Sequence, residues 1–407
     1  MLSLVRGDEA ALSTPGQDPR QADAVFHGDL SQSTDWSFDV GLGSLLVGAP
    51  SLSTLYSVDF RVVGDEVALS DSLFGQITGE GRFGASQARL GSALWVGAPD
   101  RDVGRGRPKA GAALLFEDLG TGWTGDRTAE DADFVLLGEE PYQHLGDRVA
   151  VCSDLDGDGV EDLLVSAAWD HTGARLGGRV FAVMSSEREE REVVVGGLDL
   201  SWWSTDEGAQ LGRSLACRDL DGDGVDEVLL GAPFADGEAG DATGAIYLLR
   251  APWVGGEVQE AAALVIEGFT AQSYLGWSLA LGDLDADGEM ELVAGAPGAD
   301  GGHGAVGIWT SEGALRTLYQ GTESGRLGTA VLVLDHDGDG VDDLAMSSPA
   351  SQAVFLWPGA VDLDWSRVHQ DTSAPSSLVG GEGLGRTLAG GDLDGDGDDE
   401  LLLSRLQ

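Results

Sequence analysis

Five short stretches of this chain carry carboxylates at a spacing that suits metal chemistry. The first holds Asp154, Asp156, Asp158 and Asp162. The second and third hold Asp219, Asp221, Asp223 and Glu227, then Asp283, Asp285, Asp287 and Glu291. The fourth and fifth hold Asp335, Asp337, Asp339 and Asp343, then Asp392, Asp394, Asp396 and Glu400. In each nine-residue stretch the acids stand at positions 1, 3, 5 and 9. Calcium takes about six to eight oxygens at roughly 2.3–2.6 Å, and alternating carboxylates on a tight loop supply them. Position 6 is always Gly, which permits a sharp turn with positive φ. Position 7 offers the backbone carbonyl of Val160, Val225, Glu289, Val341 or Asp398. Without ions, carboxylates at about 4 Å repel by about 1 kcal/mol per pair in water and several-fold more near protein. The cofactor expected is therefore Ca2+, at about five sites. Magnesium keeps its waters and demands a stricter octahedron, so it is the weaker candidate. An EF-hand starts in the same way but needs Glu at position 12. Here position 12 is Val165, Leu230, Ala294, Met346 or Leu403, which excludes it.

The loops sit inside a repeat. Seven times an apolar run ends in Gly-Ala-Pro or a close variant: 45–50, 94–99, 163–168, 228–233, 292–297, 344–349 and 401–404. Each is short, apolar and closed by a turn signal, which reads as a buried strand. A second run follows a loop, as in 112–116, 179–183, 245–249, 305–309 and 353–357. A third comes next, as in 134–137 or 263–266. A Leu-Gly or Phe-Gly step (Phe83-Gly84, Leu145-Gly146, Leu211-Gly212, Leu275-Gly276, Leu327-Gly328, Leu384-Gly385) then opens the next repeat. Four strands per repeat and no helix signal predict an all-β, seven-bladed propeller of four-stranded blades. The seventh repeat stops at its second strand. Strand-like segments at 2–6 and 22–27 are expected to complete it. The expected layout is one domain over 1–407, with blades at 34–80, 81–139, 140–200, 206–268, 271–322 and 323–383. The last blade joins 384–407 to 1–28. The first two repeats have short turns, at 40–44 and 88–93, and are expected to be metal-free.

Composition narrows the partners. Seventy acidic against 23 basic residues give a net charge of -47, which disfavours nucleic acid and anionic membranes. No stretch has the apolar length of a membrane span. Residues 1–11 contain Arg6, Asp8 and Glu9 and no apolar run, so they do not read as a signal peptide. Arg6-Gly7-Asp8 spells an adhesion tripeptide that chance explains in so Gly- and Asp-rich a chain. Cys152 and Cys217 each precede a metal loop by two residues. A disulfide needs Cα atoms within about 7 Å. Equivalent positions in neighbouring blades are expected to lie further apart, so the two read as buried free thiols.

The order Leu-Gly-x-x-Leu/Val, Asp-x-Asp-Gly-Asp-Gly-x-x-Asp/Glu, apolar strand and Gly-Ala-Pro resembles the FG-GAP repeat of integrin α chains and many bacterial surface proteins. The resemblance spans nearly the whole chain. It implies β-hairpin calcium sites on one face and partner binding on the other. The candidates on that second face are Trp169, His171, Trp202, Trp203, Phe234 and Tyr274, since aromatic residues dominate binding hot spots. The function expected is a calcium-stabilised extracellular, cell-surface or periplasmic adhesion module. It would be a monomer that binds a protein or glycan surface ligand. A lectin-like propeller, or the non-catalytic propeller of a secreted enzyme, is the alternative. The chain shows no Gly-x-Ser-x-Gly elbow and no His-x-x-x-His pair, so it is not expected to be an enzyme.

Overall fold

A computed structural model of the chain describes residues 2–5, 24–27, 37–41, 44–59, 67–68, 73–104, 106–117, 119, 123–360, 368–370, 374, 376–380, 383–393 and 395–404. The fold is an all-β propeller. Among the described residues the strands form seven sheets. The third is representative: Val149–Cys152, Asp162–Ala167, Arg179–Val183 and Leu200–Trp203 pair antiparallel in chain order. The innermost strands of all seven sheets touch in sequence, and Leu388–Gly391 of the last touches Ser37–Gly41 of the first. Leu2–Val5 joins the last sheet by pairing with Glu400–Ser404, and Ala24–His27 pairs with it in turn. Arg6 and residues 22–23, part of the expected closing segments, lie outside the described residues, as does Arg6-Gly7-Asp8.

Position within a sheet explains the hydrophobic pattern. The second strand of a repeat is covered on both faces by neighbouring sheets. Asp162–Ala167, Glu227–Ala232, Glu291–Ala296 and Asp343–Ser348 are accordingly buried throughout. The fourth strand meets solvent on one face, so Leu315–Gln320 alternates exposed with buried positions.

The glycine of Gly-Ala-Pro has a steric cause. A Cβ on Gly97 would lie 2.0 Å from the Gly146 carbonyl oxygen, which belongs to the next repeat's Leu-Gly step. Gly48, Gly231 and Gly295 meet Gly84, Gly276 and Gly328 in the same way. In these repeats an innermost-strand serine ties the sheets together. Ser37, Ser86, Ser214 and Ser278 donate to the carbonyls of Gly84, Gly146, Gly276 and Gly328. Where the glycine is Ser166, Ser347 or Ser404, the residue just before the innermost strand is Arg148, Ala330 or Thr387 instead. Its N–H then donates to the serine hydroxyl. Gly97→Ala should therefore cost about 1–3 kcal/mol, because backbone must move. A lowered urea midpoint is the expected result; an unchanged one would show that the third sheet yields freely.

The expectation of four-stranded blades needs correction. Five sheets have a fifth strand, paired parallel to the fourth: Val67–Ala68, Gly125–Thr128, Glu192–Val194, Gly256–Glu257 and Val368–Gln370. Each comes from the linker between the third and fourth strands of the following repeat. That linker reaches back and covers an edge that would otherwise leave backbone groups unpaired. In the fifth repeat residues 310–314 are all that join Ala305–Trp309 to Leu315–Gln320. They are too few to reach back, and the fourth sheet ends at Leu264–Glu267.

Candidate metal centres and the opposite face

Each acidic stretch links the first and second strands of its sheet, so the strand ends fix the ends of the loop. The carboxylate at position 9 opens the second strand and turns back into the loop. Asp162, Glu227, Glu291, Asp343 and Glu400 accept the N–H of position 2, which is Leu155, Leu220, Leu284, His336 or Leu393. Position 1 accepts from the position 6 glycine in four loops, as Gly159 donates to Asp154 at 2.8 Å. Position 7 donates its N–H to the position 5 carboxylate, as Val160 does to Asp158 at 2.7 Å. These bonds fix the acids over the loop backbone, and Asp154, Asp162, Asp219, Asp283 and Asp343 accept N–H groups at both oxygens.

The convergence is tight. Carboxylate oxygens of Asp154, Asp156 and Asp162 lie within 4.8 Å of one another, as do those of Asp219, Asp221 and Glu227 and of Asp283, Asp285 and Glu291. In the fourth loop Asp335, Asp337 and Asp339 converge within the same limit. Asp394 of the fifth lies outside the described residues. In the second repeat only Gly91 and Ser92 join the first two strands, and neither carries a carboxylate. In the first repeat, residues 42–43 of the turn lie outside the described residues.

The electrostatics favour a hard cation. Burial, together with the carboxylates of Asp285 and Asp287, pushes Glu291 up to about 7. Burial and the Asp337 carboxylate push Asp343 up to about 7. Asp162 and Glu227 are raised for the same first reason, burial. Burial also works against the Asp154 charge, but N–H groups of Gly159, Gly157 and Asp156 outweigh it and hold that carboxyl low. Glu291 is 0% exposed, and its Oε1 accepts no hydrogen bond; the nearest cation is Arg316 Nη2 at 3.8 Å. Asp335 Oδ1 is likewise buried without a hydrogen-bond partner. Buried carboxylate oxygens without hydrogen-bond partners, in loops crowded with like charge, would suit a divalent ion with oxygen ligands. Arg316 also approaches Asp285 at 3.7 Å and Asp287 at 3.6 Å, which nothing in its sequence context signals.

The aromatic candidates separate into different environments. Trp169 is 41% exposed and lies against His144, with ring centroids 5.9 Å apart. It stands beside a cavity of about 280 Å³ lined by Glu140, Pro141, Gln143, Asp170, His171 and Thr172. Phe234 packs on Tyr274 at 5.3 Å and on Trp277 at 5.9 Å. Trp277 escaped the sequence reading, although it directly follows the Leu275-Gly276 step. Trp203 is half-buried under Arg179. Trp202 is corrected: it is 0% exposed, packs on Trp253 and donates Nε1 to the Val254 carbonyl at 2.9 Å. The pair lies in the strand Leu200–Trp203, and alternation puts Leu200 and Trp202 on the covered face.

The cysteines are corrected too. Cys152 and Cys217 form a disulfide, with Cα atoms 5.5 Å apart. They sit at the ends of the innermost strands of adjacent sheets, where blades crowd closest to the axis.

Sheets and loops together define a β-propeller with acidic hairpin repeats. The FG-GAP repeat matches residues 211–249 and 275–309, so the chain carries FG-GAP repeats. It is 31% identical over 244 residues to phosphatidylinositol-glycan-specific phospholipase D of Bos taurus, covering 58% of this chain and 28% of that protein. It is 37% identical over 128 residues to integrin alpha-4 of Xenopus laevis (30% of this chain, 11% of that one). It is 27% identical over 312 residues to integrin alpha-PS2 of Drosophila melanogaster (68% and 21%). The chain thus spans less than a third of the length of these relatives. The β-propeller domain of Cps50 (Swd1) from Myceliophteria thermophila shares the fold, with a TM-score of 0.51 at 12% identity and full coverage of both chains. No helix of the described residues is long and apolar enough to cross a membrane.

Proposed function

We propose that the chain is a seven-bladed, calcium-stabilised interaction module of an extracellular or cell-surface protein, without catalytic activity of its own. The observation that carries this reading is the convergence of carboxylate oxygens of Asp283, Asp285 and the buried Glu291 within 4.8 Å, with Glu291 Oε1 lacking a hydrogen-bond partner, in a loop pattern that recurs five times. Positions 1, 3, 5 and 9, with the position 7 carbonyl, would hold each ion. Bound calcium supplies charge neutralisation and rigidity to the loops. Ring closure through Leu2–Val5 supports counting each sheet as a blade. The disulfide suits an oxidising compartment, where free calcium is also high enough for weak sites. Trp169, with its neighbouring cavity, and the Phe234–Tyr274–Trp277 cluster are the ligand-binding candidates. The match to the bovine phospholipase favours a second reading, the non-catalytic propeller of a larger secreted enzyme.

Metal counting after equilibrium dialysis tests the calcium reading. About five calcium ions per chain are expected, and one fewer for Asp219→Ala. No retained calcium, or the same count in both proteins, would sink it.

A further inference from the structure

Position 8 is not a ligand position, yet in three loops it reaches the preceding loop. Asp226 of the second loop donates its N–H to the Asp154 carbonyl at 2.7 Å, and its carboxylate accepts the N–H of Ser153. Asp342 of the fourth accepts the N–H of Asp283 at 2.9 Å and donates to the Asp283 carbonyl at 3.3 Å. Asp399 of the fifth accepts the N–H of Asp335 at 3.1 Å and donates to the Asp335 carbonyl at 2.7 Å. His336 Nδ1 lies 2.9 Å from the Asp399 carbonyl. In each case the residue gripped is position 1 of the neighbouring loop, or the residue before it. The third loop breaks the series. Its position 8 is Met290, which packs with the apolar cluster around Leu220 and Leu292.

We propose that Asp226, Asp342 and Asp399 are positioning residues that couple adjacent metal loops, so that calcium binds in two blocks. One block is loops one and two; the other is loops three, four and five, with the break at Met290. The inference rests on the calcium reading. Each clamp residue stands between its own loop's position 7 and position 9. Filling that loop fixes both flanks of the clamp, and the clamp then holds position 1 of the neighbour in place. Coupling of this kind is reciprocal, so filling either loop favours the other.

Calcium titration of the full chain, followed by hydrogen exchange in peptides covering each loop, reads the loops separately. Asp399→Ala removes no proposed ligand. It is expected to raise the calcium midpoint of 335–343 about tenfold and to leave 219–227 unmoved. Asp399→Asn keeps an acceptor oxygen and is expected to restore the midpoint. If 335–343 does not move in Asp399→Ala, or if all loops move alike, the coupling is overturned while the calcium sites stand. No calcium response in any wild-type loop overturns both.

Discussion

Chelating calcium is expected to lower the melting midpoint by about 8 °C relative to 1 mM calcium. The argument starts from the position 9 acids. Glu291 and Asp343 are buried beside other carboxylates and are pushed up to about 7, so the empty loops carry charges in unfavourable places. An ion that binds only the folded chain relieves this repulsion. With a dissociation constant of about 0.1 mM, each site adds about 1.4 kcal/mol, and five add about 7 kcal/mol. For a chain of 407 residues the unfolding entropy converts that to the stated shift. Magnesium, which gives up its waters reluctantly, should recover little of it. A midpoint indifferent to calcium, magnesium and chelator would mean that the loops are held by their backbone hydrogen bonds alone. The extracellular reading would then lose its main support.

The repeat and its acidic loops were legible because both are local. Four acids at fixed spacing and an apolar run before Gly-Ala-Pro need no tertiary information. The interlock between sheets is legible in hindsight. Ser86, Ser214 and Ser278 follow Phe-Gly or Leu-Gly by two residues wherever Gly97, Gly231 and Gly295 occur. Arg148, Ala330 and Thr387 stand there when Ser166, Ser347 and Ser404 replace the glycine. In those repeats the serine hydroxyl accepts an N–H within its own sheet instead of reaching the next one. The fifth strands were not legible. Glu192–Val194 and Gly256–Glu257 are short, polar or glycine-led, and become strands only because an outer edge lies within reach. Trp202 and Trp203 misled because an aromatic pair after an acid looks like a surface hot spot. Their alternation with Leu200 is the weaker signal, and it is the one that prevailed.

The disulfide was missed through a geometric assumption that holds at the rim of a propeller and fails at its hub. Outer strands diverge from one blade to the next, whereas innermost strands pack side by side. There the equivalent Cα atoms of Cys152 and Cys217 are 5.5 Å apart. The bond closes a loop with a sequence separation of 65, which corresponds to about 4 kcal/mol of lost freedom in the unfolded chain. A Cys152→Ala, Cys217→Ala variant is therefore expected to melt about 5 °C below the wild type in saturating calcium. Reductant should bring the wild type down toward the variant and leave the variant unchanged. Alkylation of the denatured wild type without reductant separates a missing bond from a weak one. Two modified thiols would mean that no disulfide forms. None, with no difference in melting, would mean that the bond forms but constrains little. A cost that grows further at low calcium would fit the place of the bond: two residues before Asp154 and Asp219, it ties together the starts of two acidic loops that calcium is proposed to fix as well.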